Sequence, residues 1–219
     1  MKKEKSIFSV DYEGDNKRQL FVEATICALA ENGYKGTTVR KIAEYAKVAP
    51  GLLTHYYSGK DELIAESYRY LAGEFLDRFQ ASIARNSEEP LEALKIFFLK
   101  TFEVDNMDPR LLKVWLSFWS LTLIRKDLAH IHRETYRQYI GSIEDMLGQA
   151  YAMDNRAVAP ELIKRQAIGI NALLDGLWLE WCLDPETFSR AEGLRIVHEF
   201  VESTTGLSVG LPPELNDPE

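Results

Sequence analysis

Four prolines constrain the fold of this chain more than any other feature. Pro50, Pro90, Pro109 and Pro160 each stand at the head of a run whose apolar residues recur with helical spacing. Proline suits the first turn of a helix, because the N–H it lacks has no partner there and its φ is already helical. No stretch alternates apolar and polar residues as a half-buried strand would. The expectation is an all-α fold of nine helices. Three make an N-terminal head, the first over about 16–32 and stopped by Gly33. The second runs from a Thr37 or Thr38 cap through Ala46, and the third opens at Ala49-Pro50. Six more make a bundle. The fourth starts at Ser58, with Asp61 as its capping-box partner, and runs to about Arg85. The next begin at Pro90, Pro109 and Lys126 and end near Asp105, Arg125 and Asp154. The last two run from Pro160 to Leu183 and from a Ser189 cap, with Glu192, to about Thr205. The domain reading is a flexible arm over 1–15, a head over 16–60, a body over 61–205 and a loose tail over 206–219.

The 219 residues are 46% hydrophobic and 27% charged, as in ordinary soluble globular proteins. No apolar run reaches the roughly 18 residues that span a bilayer. The opening MKKEKSIFSVDYEGDNKR lacks the apolar core of a secretory signal. Cys27 and Cys182 lie far apart in apolar helical patterns and read as buried free thiols of a reducing compartment. A cytoplasmic location is expected. The net charge of −8 argues against a nucleic-acid partner until it is divided along the chain. Residues 1–60 carry +3 and the remainder −11. A basic head on an acidic body suits a chain that meets phosphate at one end only.

The segment TTVRKIAEYAKVAPGLLTHYYSGKDEL falls in that basic part. Val39, Ile42, Ala43 and Ala46 form one apolar stripe, Val48 follows a turn, and Leu53 and Tyr57 face inward from the next helix. Small Ala43 lets two helices cross closely, as a helix-turn-helix requires. The outward residues are then Gly51, Leu52, Thr54, His55 and Tyr56, a short-armed, hydrogen-bonding set suited to groove edges and sugar-phosphate. Tyr57 reads as core and Tyr56 as reaching phosphate. Arg40 reads either as a bidentate base contact or as a surface salt-bridge residue, and Lys60 either as solvated or as facing phosphate.

The pattern T-T-x-x-x-I-A-x-x-A-x-V-x-x-G-x-L-x-H-Y-Y-x-x-K-x-E-L, within residues 18–65, resembles the signature of the TetR family of repressors. That resemblance implies a DNA-binding head on a body that binds a ligand and dimerises. It puts DNA contacts on Thr38, Arg40, Ala49, Pro50, Gly51, Leu52, Thr54, His55, Tyr56 and Lys60. Two positions depart from the family pattern. Lys47 replaces the customary turn glycine, and a lysine in the left-handed region costs roughly 1 kcal/mol or more. Ala49 stands where a serine cap is usual, which forgoes roughly 1 kcal/mol of capping.

The body holds all four tryptophans, in two pairs: Trp115 with Trp119, and Trp178 with Trp181. Each spacing puts both partners on one helix face. They read either as core packing or as walls of an aromatic cage, since a buried indole N–H needs a partner. Asp175 and Glu180 lie in the second stretch, and acidic residues in an apolar helix call for a reason. KVWLSFW and ALLDGLWL resemble the choline-responsive repressors of the same family. That implies choline or a related quaternary amine as effector, held by Trp115, Phe118, Trp119, Asp175, Trp178 and Trp181 through cation–π and charge attraction. A different apolar or aromatic ligand is the alternative. The last two helices carry Ile168, Ala172, Leu173, Ile196, Val197, Phe200 and Val201, with Gly169 and Gly176 allowing close approach. They read as the homodimer interface, and a two-fold dimer implies a palindromic operator. No catalytic residue, cofactor or metal site is expected. G-x-S-x-G, P-loop, C-x-x-C and H-E-x-x-H are absent, and His130 and His132 point to different faces of one helix. A helical adaptor that does not bind DNA is the remaining rival.

Overall fold

The computed structural model describes Phe8 and residues 16–84, 89–103 and 108–210. Among the described residues there are nine α-helices and no strand. They are α1 (Lys17–Gly36), α2 (Val39–Tyr45), α3 (Pro50–Tyr56), α4 (Lys60–Ala84) and α5 (Pro90–Thr101). α6 (Pro109–Thr122), α7 (Lys126–Met153), α8 (Pro160–Leu183) and α9 (Arg190–Thr205) follow. Four of them begin on the four prolines that head helical runs.

The caps follow local chemistry. Side-chain oxygens of Asn16, Thr38 and Ser189 accept hydrogen bonds from the backbone N–H of Gln19, Lys41 and Glu192. Gly206 closes α9 in the left-handed conformation, at φ 67°. Ahead of α4 the capping carboxylate is not Asp61 as expected but Glu62, one residue on. Its Oε2 accepts from both the N–H and the hydroxyl of Ser58 at 2.8 Å. Asp61 is instead engaged by Tyr34 and Arg125. Gly33 breaks the regular helix at φ 63°, ψ −179°, and the chain makes one more turn to Gly36 before Thr37 donates to Gly33 O at 3.1 Å. α6 stops at Thr122 rather than Arg125, because the N–H groups of Ile124 and Arg125 both turn back to Leu121 O. α5 stops at Thr101, and the stretch 104–107, where its end was expected, is outside the described residues.

The chain divides into two compact units. The first comprises residues 1–74 and 109–134. α1 is its central helix: every residue from Leu20 to Ala30 is buried, and α2 and α6 pack against it. Leu20, Phe21, Ala24, Ala28, Ile42, Ala46, Leu53, Tyr57 and Leu63 form one core. The segment 16–60 therefore folds within a larger unit that includes α6 and the start of α7. From the arm, Phe8 is fixed on this unit. Its carbonyl accepts from Cys27 Sγ, and Arg110 lies 4.5 Å from its ring centre.

The second unit comprises residues 75–108 and 135–219. Phe79, Phe97 and Tyr139, from α4, α5 and α7, cluster with ring centres 4.4–5.8 Å apart. The Tyr151 hydroxyl lies 2.9 Å from Gln166 Oε1 and 3.3 Å from Thr205 O, and Gln166 Nε2 donates to Thr204 O, which ties α7 and α8 to the end of α9. Past α9 the chain is packed rather than loose, with Leu207 and Val209 buried. The rest of the expected loose tail, 211–219, is outside the described residues. Cys27 and Cys182 are buried free thiols. No described helix is long and apolar enough to cross a membrane.

Candidate nucleic-acid interface

α2 and α3 form a closed corner. Ile42, Ala43 and Ala46 from one side and Leu53 and Tyr57 from the other are buried, and Val39, Tyr45, Val48 and Tyr56 pack around them. The turn between the helices carries Lys47 at φ 55°, the left-handed geometry that a glycine adopts without strain. Ala49 precedes α3 with no side-chain cap, and Pro50 occupies the first turn. The two departures from the family pattern thus both carry the costs expected of them.

The opposite side of α3 is open. Gly51, Leu52, Thr54 and His55 are exposed, and a Cβ added at Gly51 would meet nothing within 4 Å. Glycine in a helix costs about 0.5–1 kcal/mol relative to alanine. Thr54 Oγ1 donates to Gly51 O at 3.0 Å, leaving its lone pairs outward.

The two tyrosines divide as expected in one respect. Tyr57 is buried, its hydroxyl 3.4 Å from Arg18 O, and burial with Glu66 nearby pushes its phenol well upward. Tyr56 is half-buried, edge-on to Phe21 at 5.6 Å and to His55 at 5.6 Å. It is a hinge between core and surface.

Cations flank the corner in different states. Arg40 is 86% exposed, its Nε a loose 3.8 Å from Glu44 Oε1, whereas Lys41 holds the same carboxylate at 2.8 Å. That hydrogen bond raises the Lys41 pKa and lowers that of Glu44. Arg40 is therefore free to leave for a better acceptor. Lys60 is more committed: its Nζ donates to Tyr34 O at 3.1 Å and lies 4.0 Å from the Tyr34 ring centre. A phosphate at Lys60 has to share that ammonium with Tyr34.

Sequence reasoning missed Arg18 and Arg125. Arg18 reaches Tyr56 O at 3.5 Å, Glu66 at 3.4 Å and the Tyr57 ring at 5.1 Å, fixing the end of α3 from α1. Arg125 contacts Asp61 at 3.4 Å and also pairs with Asp127, which raises its pKa. Neither has a local signal for its tertiary partners, because Tyr56, Tyr57 and Glu66 lie at least 38 positions from Arg18 and Asp61 lies 64 from Arg125.

The candidate ligand residues fall into two separate sets. Trp115, Phe118 and Trp119 belong to the first unit. Phe118 is 0% exposed and stacks on Tyr68 at 4.7 Å, so it is core packing. Trp115 meets Tyr68 edge-on at 5.9 Å and lies 5.9 Å from Trp119, both indoles half-buried. The Tyr68 hydroxyl is 2.9 Å from His132 Nδ1, and burial lowers the His132 pKa. Asp175, Trp178 and Trp181 belong to the second unit. Trp178 is buried, Trp181 half-buried, and Asp175 exposed with Asn171 Nδ2 donating to its Oδ2 at 2.9 Å. Glu180 is an exposed residue. Of the expected dimer residues, Val197 and Val201 are buried inside the second unit, while Ile168 and Ala172 are exposed. Gly169 lies under the Phe200 ring.

Residues 21–66 match the profile described as bacterial regulatory proteins, tetR family, and residues 90–206 match BetI-type transcriptional repressor, C-terminal. The HTH-type transcriptional regulator BetI of Paraburkholderia xenovorans is 27% identical over 190 residues, covering 85% of this chain and 92% of that one. Its namesake from Yersinia pestis is 29% identical over 189 residues, covering 85% and 91%. A transcriptional regulator of Pseudomonas aeruginosa PAO1 superimposes with a TM-score of 0.78 at 33% identity, over 87% of this chain and 90% of that one. The chain belongs to the TetR family of bacterial transcriptional regulators and carries a BetI-type C-terminal domain.

Proposed function

We propose that the chain is a repressor that binds a palindromic operator as a homodimer and leaves it when a small effector enters the body. The observation that carries this reading is the open side of α3, where Gly51 is bare and Leu52, Thr54 and His55 are exposed above a closed core. Thr38, Arg40, Ala49, Pro50, Gly51, Leu52, Thr54, His55, Tyr56 and Lys60 are the proposed DNA contacts. Among them, Arg40 reads a base edge while Tyr56 and Lys60 meet the backbone. Ile168 and Ala172 on α8 contribute to the homodimer. A two-fold arrangement sets two copies of α3 about 34–36 Å apart, one turn of duplex DNA.

The proposed effector is choline or a related quaternary amine, and the proposed compartment is the cytoplasm. The BetI-type C-terminal match and the aromatic residues around Asp175 support that choice. α4 contributes residues to both units, so it is a covalent route from effector to head. A coupling of roughly 1–3 kcal/mol gives a useful response. The test is a gel shift on the DNA upstream of the chain's own gene, repeated over salt and with choline. Expected are a specific shift, a steep loss of affinity with salt, and release by choline. No shift on any duplex removes the regulator reading; identical curves with and without choline remove the effector.

A further inference from the structure

α4 opens with a lysine and an aspartate side by side, and both lean on one tyrosine. Lys60 Nζ donates to Tyr34 O at 3.1 Å and lies 4.0 Å from its ring centre, while the Tyr34 hydroxyl donates to Asp61 Oδ1 at 3.5 Å. The Asp61 side chain is 66% exposed, so its charge stands at the surface beside Lys60. It is not the carboxylate that caps α4, because Glu62 takes that place on Ser58. An acidic residue in a first turn favours the helix. Beside a lysine that meets phosphate it does harm, since it repels the phosphate and competes for the ammonium. Unopposed, Asp61 cancels what Lys60 contributes.

Arg125 opposes it. The turn that ends α6 places this residue: the N–H groups of Ile124 and Arg125 return to Leu121 O at 3.1 and 2.8 Å, and α7 starts at the next position. The guanidinium side chain is 19% exposed, and Asp127 in the first turn of α7 fixes one edge of it. Nε donates to Asp127 Oδ1 at 3.1 Å, and Nη2 donates to Asp127 Oδ2. The fork also reaches α4, where Nη2 donates to the Asp61 carbonyl at 3.1 Å and Nη1 stands 3.4 Å from Asp61 Oδ1. A planar guanidinium can serve two carboxylates in this way, whereas an ammonium acts as a point charge. The contact with the Asp61 carboxylate is electrostatic only, because Nη1 is buried and makes no hydrogen bond among the described residues. Arg125 is thus anchored by hydrogen bonds to Asp127 and the α4 backbone, and it acts on the Asp61 side chain by charge.

We propose that Arg125 is a positioning residue for operator binding: it neutralises the Asp61 carboxylate and so leaves Lys60 to phosphate. The proposal rests on the reading of Lys60 as a DNA contact, and it needs no contact between Arg125 and DNA. The test measures the affinity of the effector-free full chain and its variants R125Q, R125K, D61N and R125Q/D61N for the duplex upstream of the chain's own gene, by gel shift over salt. R125Q is expected to bind about fivefold or more weakly than the parent at low salt, with a smaller deficit at high salt, where the repulsion is screened. R125K keeps the charge and most of the affinity. R125Q/D61N is expected to recover to within about twofold of the parent, because the harmful charge is removed together with its partner. If Arg125 merely ties the fold together, D61N leaves the R125Q loss in place. That result overturns the proposal, as does an R125Q that binds like the parent at low salt. If R125Q fails to fold, as read by its circular dichroism melt, D61N with and without R125Q decides: equal affinities support the proposal and a weaker double variant overturns it. A parent that shifts no duplex removes the DNA-binding reading itself, whereas a parent that binds beside an R125Q that D61N does not rescue refutes the role of Arg125 alone.

Discussion

α3 and α8 both present candidate functional residues along one helix face, but they divide buried from exposed positions differently. On α3 the buried side, Leu53 and then Tyr57, lies across the helix from exposed Gly51, Leu52, Thr54 and His55. On α8 the exposed Asp175 stands at the edge of the buried face, one turn from buried Asn171 and Trp178 and one turn from exposed Ala172. The first arrangement suits a partner too large to enter the protein, which meets the ridge from outside. The second sets a single carboxylate at the border of core and surface, within reach of a small ligand. Exposure on a helix's polar side is the common condition of surfaces and says little by itself.

The largest expected effect comes from breaking the closed side of α3. Leu53 is fully buried in the core shared by α1, α2 and α3. Leu53→Ala should cost about 2–5 kcal/mol of stability, read from a denaturant melt of the full chain, and operator binding should fall with it. A loss under about 1 kcal/mol would mean that the corner is not a cooperative part of the fold. Arg40→Ala probes the open side instead. It removes only a loose pair to Glu44 at 3.8 Å, so the melt should not move. Operator affinity should fall by about 1–3 kcal/mol, with relaxed preference at one base pair. A melt that drops in step with affinity would reassign Arg40 to a structural role.

Lys47→Gly has a smaller effect and the opposite sign. At φ 55° the lysine holds a conformation that glycine adopts freely. The replacement should stabilise the chain by about 1 kcal/mol, seen as a rise in melting temperature. An unchanged or lowered melt would show that the Lys47 stem packs against the corner and offsets the backbone strain.

The two regions also differ in how far the sequence discloses them. Helix starts were readable because proline, serine and threonine act on neighbours three or four positions away. The core of the corner was readable because Ile42, Ala43, Leu53 and Tyr57 follow the helical period. Even there the reading slipped by one residue at the α4 cap, where either Asp61 or Glu62 satisfies the local chemistry and tertiary partners decide. Arg125 draws Asp61 away, and Glu62 closes on Ser58. The surroundings of Asp175 were far less legible. Asp175 drew notice as a charge in an apolar helix, but the four tryptophans drew more. The structure places Trp115 and Trp119 in one unit and Trp178 and Trp181 in the other. Spacing shows which side chains share a face, and only tertiary packing shows which faces stay open.

The smallest effect tests α8 and follows from the chemistry of one carboxyl. Asp175, pushed up to about 6 by burial, changes charge within the range where the protein can be handled. Its ionised form attracts a cation and its protonated form does not, so choline affinity should fall as pH falls through about 6. Between pH 7.5 and 5.5 the ionised fraction drops about fourfold, and affinity should drop by the same factor. Choline itself does not titrate. The Tyr136 and Tyr139 phenols are both moved upward and stay protonated, and Asn171 carries no charge. D175N should therefore give a flat profile. His198 supplies the necessary control. It is buried against Phe98, neither ring nitrogen has a hydrogen-bond partner, and burial lowers its pKa. Acid charges the unfolded imidazole first, so stability contributed by neutral His198 is lost as pH falls below about 6.5. That loss weakens every ligand of the second unit alike. A fall for choline with none for 3,3-dimethylbutan-1-ol, the uncharged carbon analogue of choline, assigns the pH dependence to Asp175, whereas parallel falls assign it to a loss of fold stability, of the kind expected at His198, and remove Asp175 as the countercharge.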